Sequence, residues 1–447
     1  MPAKTHRAAI ALAAAAVLAL PGAALAQTDK ERELEARVTE LEKIVKQLLA
    51  ERQAAGAAPA ATVAATPAAP APAPAKAGPP PIQETSVVPN ALAGTRFFVT
   101  GFAKLDALFT ETQDGRMPAG PGRDFYLPGA TPVGNGPSYQ ELQAHIKQSR
   151  VMLGTDTDYQ GHKLGARLEF DLYGTSLGNE RITNTYGLQI RHAYLTYDKW
   201  LFGQTWSNFQ DVASLPESVD FIGNTDGQVF VRQPQLRYTN AGFSVALENP
   251  ETTYTPFGGG AQQVSDENRL PDLTAAYQWG GSWGHLRVAA LGRELRYDVG
   301  TDSDEAFALA AQLSGKFMIG RDDIRFTLIG GDAIGRYVAL NFANDAVLDA
   351  SGDLEAISGF AGSLAWRHVF TPQWRTNLMV AYGEYDNDVA LGGAAVNENS
   401  MSWAINAFYS PVPKLDLGLE YRYAERELEN GTDGSMGRLQ ATAKYSF

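Results

Sequence analysis

The chain has 447 residues, 44% of them hydrophobic, a formal net charge of −13 and no cysteine. That length allows one large folded unit or two ordinary ones. The missing cysteine excludes disulfide frameworks, zinc–thiolate sites and thiol catalysis, and the acidic balance argues against nucleic acid as a partner. Mean hydropathy is −0.22. Such an average suits a soluble protein, but it suits a transmembrane barrel equally, because barrel strands alternate lipid-facing and water-facing residues and contain no long apolar run.

Residues 1–26 predict a secretory signal peptide. Lys4, His6 and Arg7 form a basic head, Ala8 to Leu20 a short apolar core, and Pro21-Gly22 a break before the small residues Ala24-Leu25-Ala26. The apolar core is too short to span a bilayer, and cleavage is expected before Gln27.

Residues 27–53 predict a periplasmic α-helical coiled coil. Leu34, Val38, Leu41, Val45 and Leu48 alternate spacings of four and three, which makes an apolar oligomerisation seam. A helix this short is marginal alone in water and needs partner chains to fold. Its polar face mixes Glu with Lys and Arg, which favours self-association over lying on a membrane. Residues 54–95 begin with a stretch of almost pure Ala and Pro and predict a semi-rigid, extended linker that cannot build a core.

From residue 96 to 447 the hydrophobic period becomes two, which predicts an antiparallel outer-membrane β-barrel of about 16 strands. Leu164, Ala166, Leu168, Phe170 and Leu172 point one way, against Lys163, Arg167, Glu169 and Asp171. Leu439, Ala441, Ala443 and Tyr445 alternate with Arg438, Gln440, Thr442 and Lys444 in the same manner. Short turns at Tyr159-His162, Asp198-Lys199, Asn240-Gly242, Gly280-Ser282, Gly320-Asp322, Thr371-Gln373 and Pro411-Pro413 alternate with longer connections. The longer ones include Glu111-Tyr139, Asn208-Gln228, Asn249-Leu270, Ala333-Glu355 and Asp386-Asn399. Short periplasmic turns and long outer loops produce that alternation. The chain is therefore expected in the bacterial outer membrane, in contact with its lipid and lipopolysaccharide, with the coiled coil in the periplasm. Terminal Phe447, after Tyr445, looks like the signal through which barrel-insertion machinery recognises its clients.

No nucleophile elbow, phosphate-binding loop or metal motif is present, so no enzyme, cofactor or metal is expected. His145, His192, His285 and His368 lie in strand-like segments without a nucleophile pattern and read as structural. The informative feature is arginine on lumen-facing positions: Arg150, Arg167, Arg237, Arg287, Arg325, Arg375, Arg422 and Arg438, with Arg191 in a strand that either phase fits. A guanidinium keeps its charge and grips carboxylates with paired hydrogen bonds, and rings of such residues line anion-selective pores. The alternative is that they pair with lumen acids such as Glu169, Asp171, Glu248 and Asp416 and stiffen the wall. The loop after the fifth strand carries Asp211, Glu217 and Asp220. Folded into the barrel, it would be a constriction setting those acids against basic wall residues.

Gly203-Gln204-Thr205-Trp206-Ser207-Asn208-Phe209, following Arg191-His192-Ala193-Tyr194, resembles the stretch that leads into the inward loop of DcaP-like porins. Arg232-x-Pro234-Gln235-Leu236-Arg237-Tyr238 is similar to the same family, and a coiled coil before the barrel also fits it. The resemblance implies a homotrimeric porin for dicarboxylates and other small anionic solutes, with Arg191 and Arg237 as lumen arginines and Asp211 in the constriction. Two alternatives stand beside it. One is a phosphate-selective porin, which would use more lumen lysine than Lys104, Lys163, Lys316 and Lys444 provide. The other is a structural barrel that tethers the outer membrane to the cell wall through its coiled coil.

Overall fold

The computed structural model describes residues 43, 91–92, 94–174 and 184–447. The expected signal peptide (1–26), coiled-coil seam (27–53) and most of the linker (54–95) lie outside the described residues. From Arg96 onward the chain is built of strands. The first is β1 (Arg96–Thr112), followed by β2 (Tyr139–His145), β3 (Arg150–Tyr159), β4 (His162–Gly174), β5 (Gly187–Tyr197) and β6 (Trp200–Trp206). Next come β7 (Arg232–Asn240), β8 (Phe243–Glu248), β9 (Thr252–Thr255), β10 (Gln263–Ser265), β11 (Asp272–Gly281) and β12 (Gly284–Asp298). After them run β13 (Ser303–Ile319), β14 (Asp322–Asp332), β15 (Ala346–Leu348), β16 (Leu354–Ala356), β17 (Ser358–Val369) and β18 (Trp374–Asp386). The last three are β19 (Asn397–Val412), β20 (Leu415–Leu428) and β21 (Asp433–Ser446).

Seventeen of these segments form one sheet. Both β2 and β3 pair with the same strand, β1, over successive stretches, so they are two halves of one crossing and the barrel has sixteen strands. Each is antiparallel to its neighbours. The sheet closes where β21 pairs with β1 from Phe102↔Ser446 to Thr112↔Met436. The amide of Phe447 extends that seam by donating to the Gly101 carbonyl at 3.0 Å. Closure removes the free edges that an open sheet would expose.

Period-two patterning decides which face meets what. The polar series of each strand is buried inside, whereas Leu142, Phe307 and Leu309 are 78%, 68% and 72% exposed on the outside. An apolar surface this continuous is unstable in water and fits the acyl region of a bilayer. Near the short turns the outward residues become aromatic. Trp200 packs on Tyr238 (4.9 Å between rings), Trp283 stacks on Phe317 (5.6 Å) and Trp374 on Tyr409 (4.6 Å). This is a girdle at the depth where amphipathic rings settle between hydrocarbon and headgroups.

The other end departs from the expected uniform run of long loops. The β12–β13 and β20–β21 connections are tight, closed by Val299 N–H to Asp302 O and Leu428 N–H to Thr432 O, each 2.9 Å. Two expected loops, at 249–270 and 333–355, contain a second, four-stranded sheet in the order β10-β9-β15-β16. All four residues of β9 are buried. Covered on both faces, it lacks the alternation that betrays a strand.

Candidate functional site: the loop across the lumen

The crossing loop, residues 207–231 between β6 and β7, enters the barrel and touches wall strands around most of the circumference. Gly203, which opens the motif before it, has φ +124°, and a Cβ there would lie 2.4 Å from the Ala193 carbonyl. Only glycine lets β6 approach β5 at this point. Farther along, Gly227 presses against the wall so closely that a Cβ would stand 2.0 Å from the Gly362 oxygen of β17.

The loop's three singled-out acids each meet a different part of the wall. Asp211 Oδ2 lies 2.8 Å from His285 Nε2 and accepts from Ser314 Oγ at 2.8 Å. Burial works against its ionised form, but the His285 and Ser314 hydrogen bonds, with the Arg287 charge, outweigh it and hold the carboxyl below its ordinary range. Glu217 takes Arg375 Nε at 2.8 Å. Asp220 accepts from the Tyr126 amide at 3.0 Å and lies within electrostatic reach of Lys104, Arg422 and Arg438. A fourth acid, Asp226, accepts from the Tyr126 hydroxyl at 2.7 Å and from Ser402. Burial raises its pKa despite those bonds. Tyr126 belongs to the β1–β2 loop, so two loops are fastened together inside the barrel.

Six of the nine expected lumen arginines have a carboxylate within 4.0 Å. Arg150 lies 3.4 Å from Glu169, Arg167 2.7 Å from Asp156, and Arg191 2.9 Å from Glu169 and 2.8 Å from Asp171. Arg325 is 2.7 Å from Asp323, Arg375 3.0 Å from Asp416, and Arg422 3.2 Å from Glu420. Arg237, Arg287 and Arg438 have no such partner among the described residues. Arg287 instead donates to the backbone of the crossing loop, at the Asn208 and Phe209 carbonyls. Arg438 donates to Thr110 Oγ1 (2.9 Å) and the Gly122 carbonyl (2.8 Å), with its Nη1 buried and unpartnered. Glu248 forms no ion pair among the described residues, although Arg237 and Arg287 lie within its electrostatic reach, and it accepts from the Asn208 amide at 2.7 Å and Thr274 at 2.9 Å. Arg167 stands apart from the others, beside the Phe98 ring (4.6 Å) toward the short-turn end.

Arg191 owes its position to a β-bulge. Glu169 pairs with His192 and Phe170 with Ile190, leaving Arg191 as the extra residue. Arg191 and His192 are therefore both buried, 1% and 8% exposed, where a regular strand would bury only one. The bulge brings Arg191 over the faces of Trp206 (5.5 Å) and Phe221 (5.2 Å). Arg150 lies over the same Phe221 (5.9 Å), and Arg232 over the same Trp206 (5.1 Å). Three guanidinium groups thus gather where the crossing loop leaves and rejoins the wall, opposed among the described residues by Glu169 and Asp171. Arg232 was not among the expected lumen arginines, because its parity is opposite to that of Arg237. It opens β7, paired with Trp206, where strand alternation has not yet taken hold. Its place beside the family-like motif was the available signal.

A family model described as DcaP outer membrane protein matches residues 128–447. The crystal structure of the outer membrane channel DcaP of Acinetobacter baumannii is similar to this chain at 26% identity and a TM-score of 0.67. That likeness covers 80% of this chain and 99% of that one. An anion-selective porin from Comamonas acidovorans is 12% identical with a TM-score of 0.49, over 79% of this chain and 100% of that one. At that distance the likeness says nothing about selectivity. No curated protein matches the chain.

Proposed function

This chain, an outer-membrane porin, belongs to the DcaP outer membrane protein family, and from that premise we propose that it passes small organic anions, dicarboxylates above all. The observation that carries the reading is the charge imbalance at Arg150, Arg191 and Arg232. Both nearby acids, Glu169 and Asp171, bond to Arg191. Among the described residues Arg232 has no acid within ion-pair distance, and its Nη1 is buried and unpartnered. The Nε of Arg150 reaches Glu169 without hydrogen-bond geometry. Unfilled charged donors in a narrow site are what a carboxylate satisfies, each such bond contributing on the order of 1.5–3 kcal/mol. A charge in a confined lumen also raises the local concentration of the opposite ion.

The phosphate reading gains little from the lysines, because three of the four face a carboxylate, Lys316 lying 3.8 Å from Asp323. Lys104 lies 2.9 Å from Asp106 and Lys444 3.4 Å from Asp416. The tether reading rests on residues 27–95 alone. We take the working assembly as a homotrimer whose coiled coils meet in the periplasm. Single-channel recording in a planar bilayer tests the proposal. Succinate added to one side should block the chloride current in a concentration-dependent way and more strongly than acetate. Equal, weak effects of the two acids would defeat the dicarboxylate claim.

A further inference from the structure

We propose that the outer mouth holds a second binding site, separate from the arginine cluster, that takes a hydroxylated monocarboxylate such as a sugar acid. Loops from four different connections surround a cavity of about 380 Å³ at the long-loop end. Its polar lining is almost entirely amide: Gln262, Asn341, Asn344, Asn387 and Asn397 face it, together with a single charged side chain, Arg426. Among the described residues no carboxylate lines it.

Arg426 is the cation of the site. Its Nε donates to Asn397 Oδ1 at 2.8 Å, and its Nη1 to the Gly129 and Thr131 carbonyls at 2.8 and 3.0 Å. Every one of these acceptors is neutral, and no acid lies within ion-pair distance among the described residues. The guanidinium is thereby fixed in orientation with its charge uncompensated and, among the described residues, its two Nη2 hydrogens unspent. That one nitrogen can make a charge-assisted bond to one carboxylate.

The amides account for the rest of the ligand. Each amide both donates and accepts, as a hydroxyl does, so a row of amides suits a polyol better than an apolar or dianionic body. Asn341 donates to Gln262 Oε1 at 3.0 Å while its own Oδ1 is buried without a partner. An acceptor left in that state is one that a ligand hydroxyl completes. A second negative charge would find only amides, and behind Asn387 it would meet Glu429, whose Oε1 accepts from Asn387 Nδ2 at 2.9 Å. The site therefore prefers a monoanion, unlike the lumen cluster. Its volume lies within the range of small-molecule pockets.

The floor of the cavity is a strained turn. Ala339, Leu340 and Asn341 have φ of 51°, 59° and 61°, three consecutive non-glycine residues in the left-handed region. The turn is pinned to the crossing loop, with the Ala339 amide donating to the Gln228 carbonyl at 3.1 Å. Strain held in place by surrounding bonds is common at ligand sites, and here it presents Asn341 to the cavity directly above the loop that crosses the pore.

Isothermal titration of the full-length protein in detergent with D-gluconate, D-glucose and succinate tests the proposal. Gluconate should bind saturably and at least about tenfold more tightly than glucose, a difference RT ln 10 makes readily measurable, and any succinate binding, which belongs to the lumen cluster, should be unchanged by Arg426→Gln. Arg426→Gln should weaken gluconate at least about tenfold while the protein keeps its heat-modifiable mobility on gels. No saturable gluconate binding to the wild type would overturn the inference even if the variant does not fold. Undiminished gluconate binding by a folded Arg426→Gln protein would overturn it too. Block of the pore by succinate is a separate readout, so failure here leaves the lumen reading untouched.

Discussion

The carboxylate of Asp211, on the loop that crosses the lumen, lies 2.8 Å from the imidazole of His285 on the wall. The same oxygen accepts from Ser314, so a single acid joins the loop to two neighbouring strands, β12 and β13. This junction has a pH signature. The folded pKa of Asp211 is depressed below its ordinary 3.8. A depressed carboxylate stabilises the folded loop fully above its unfolded value, and that contribution is lost as pH falls through the lower folded value. Channel current should therefore be steady above about pH 4 and become noisier below it as the loop detaches. In Asp211→Asn the current should already be noisy at neutral pH and show no transition in that window. An Asp211→Asn channel as quiet as wild type would show that the latch is not what holds the loop.

Arg237 and Arg287 separate charge from anchorage. Neither has an acid within ion-pair distance among the described residues, but only Arg287 bonds to the loop backbone. Replacing either by Gln should move the reversal potential toward cations. Only Arg287→Gln should also lower thermal stability, by about 1.5–3 kcal/mol, the usual worth of a hydrogen bond made by a charged group. Equal melting temperatures for the two variants would contradict this division of roles.

Gly227→Ala places a methyl group 2.0 Å from the Gly362 oxygen, and neither backbone has an easy way to yield. The loop should shift off β17, with a loss of about 1–3 kcal/mol as for other overpacked sites. Unitary conductance should change accordingly. A variant with wild-type conductance and melting would mean that the loop's contact with the wall is loose.

The coiled-coil seam makes its own prediction. Changing Leu34, Leu41 and Leu48 to Ser removes the apolar stripe on which self-association depends. A peptide of residues 27–53 should sediment as an oligomer in the wild-type sequence and as a monomer in the variant. A monomeric wild-type peptide at high concentration would remove the seam as an assembly surface.

Strand positions and facing were legible because period two is local: each of β4, β20 and β21 announces its inner face within ten residues. Arg191 was ambiguous for a physical reason. The bulge between Glu169↔His192 and Phe170↔Ile190 shifts the phase midway through β5, so neither parity describes the whole strand. The small sheet of β9, β10, β15 and β16 was illegible because both faces of β9 are covered. Arg232, legible only as part of the family-like motif, and Arg426 sit near strand ends, where alternation gives way to loop geometry and does not mark a residue as facing a site. Two of the arginine–acid pairs, Arg325 with Asp323 and Arg422 with Glu420, sit two residues apart on one strand, but a contact such as Arg375 with Glu217 on the crossing loop joins residues far apart in sequence, and no local pattern encodes it.

The central claim is that arginines without an acid partner set the preference of the pore for anions. Arg232 and Arg237 are the two on β7, and Arg232 belongs to the cluster that carries the claim. The most direct measurement is the reversal potential of the Arg232→Gln, Arg237→Gln double variant in a planar bilayer under a KCl gradient, compared with wild type. The wild-type potential should have the sign of an anion-preferring channel, and the variant should move toward cation preference, the shift shrinking in molar salt where the Debye length falls to about 3 Å. A wild-type channel that prefers cations, or a double variant with an unchanged potential, would contradict the account.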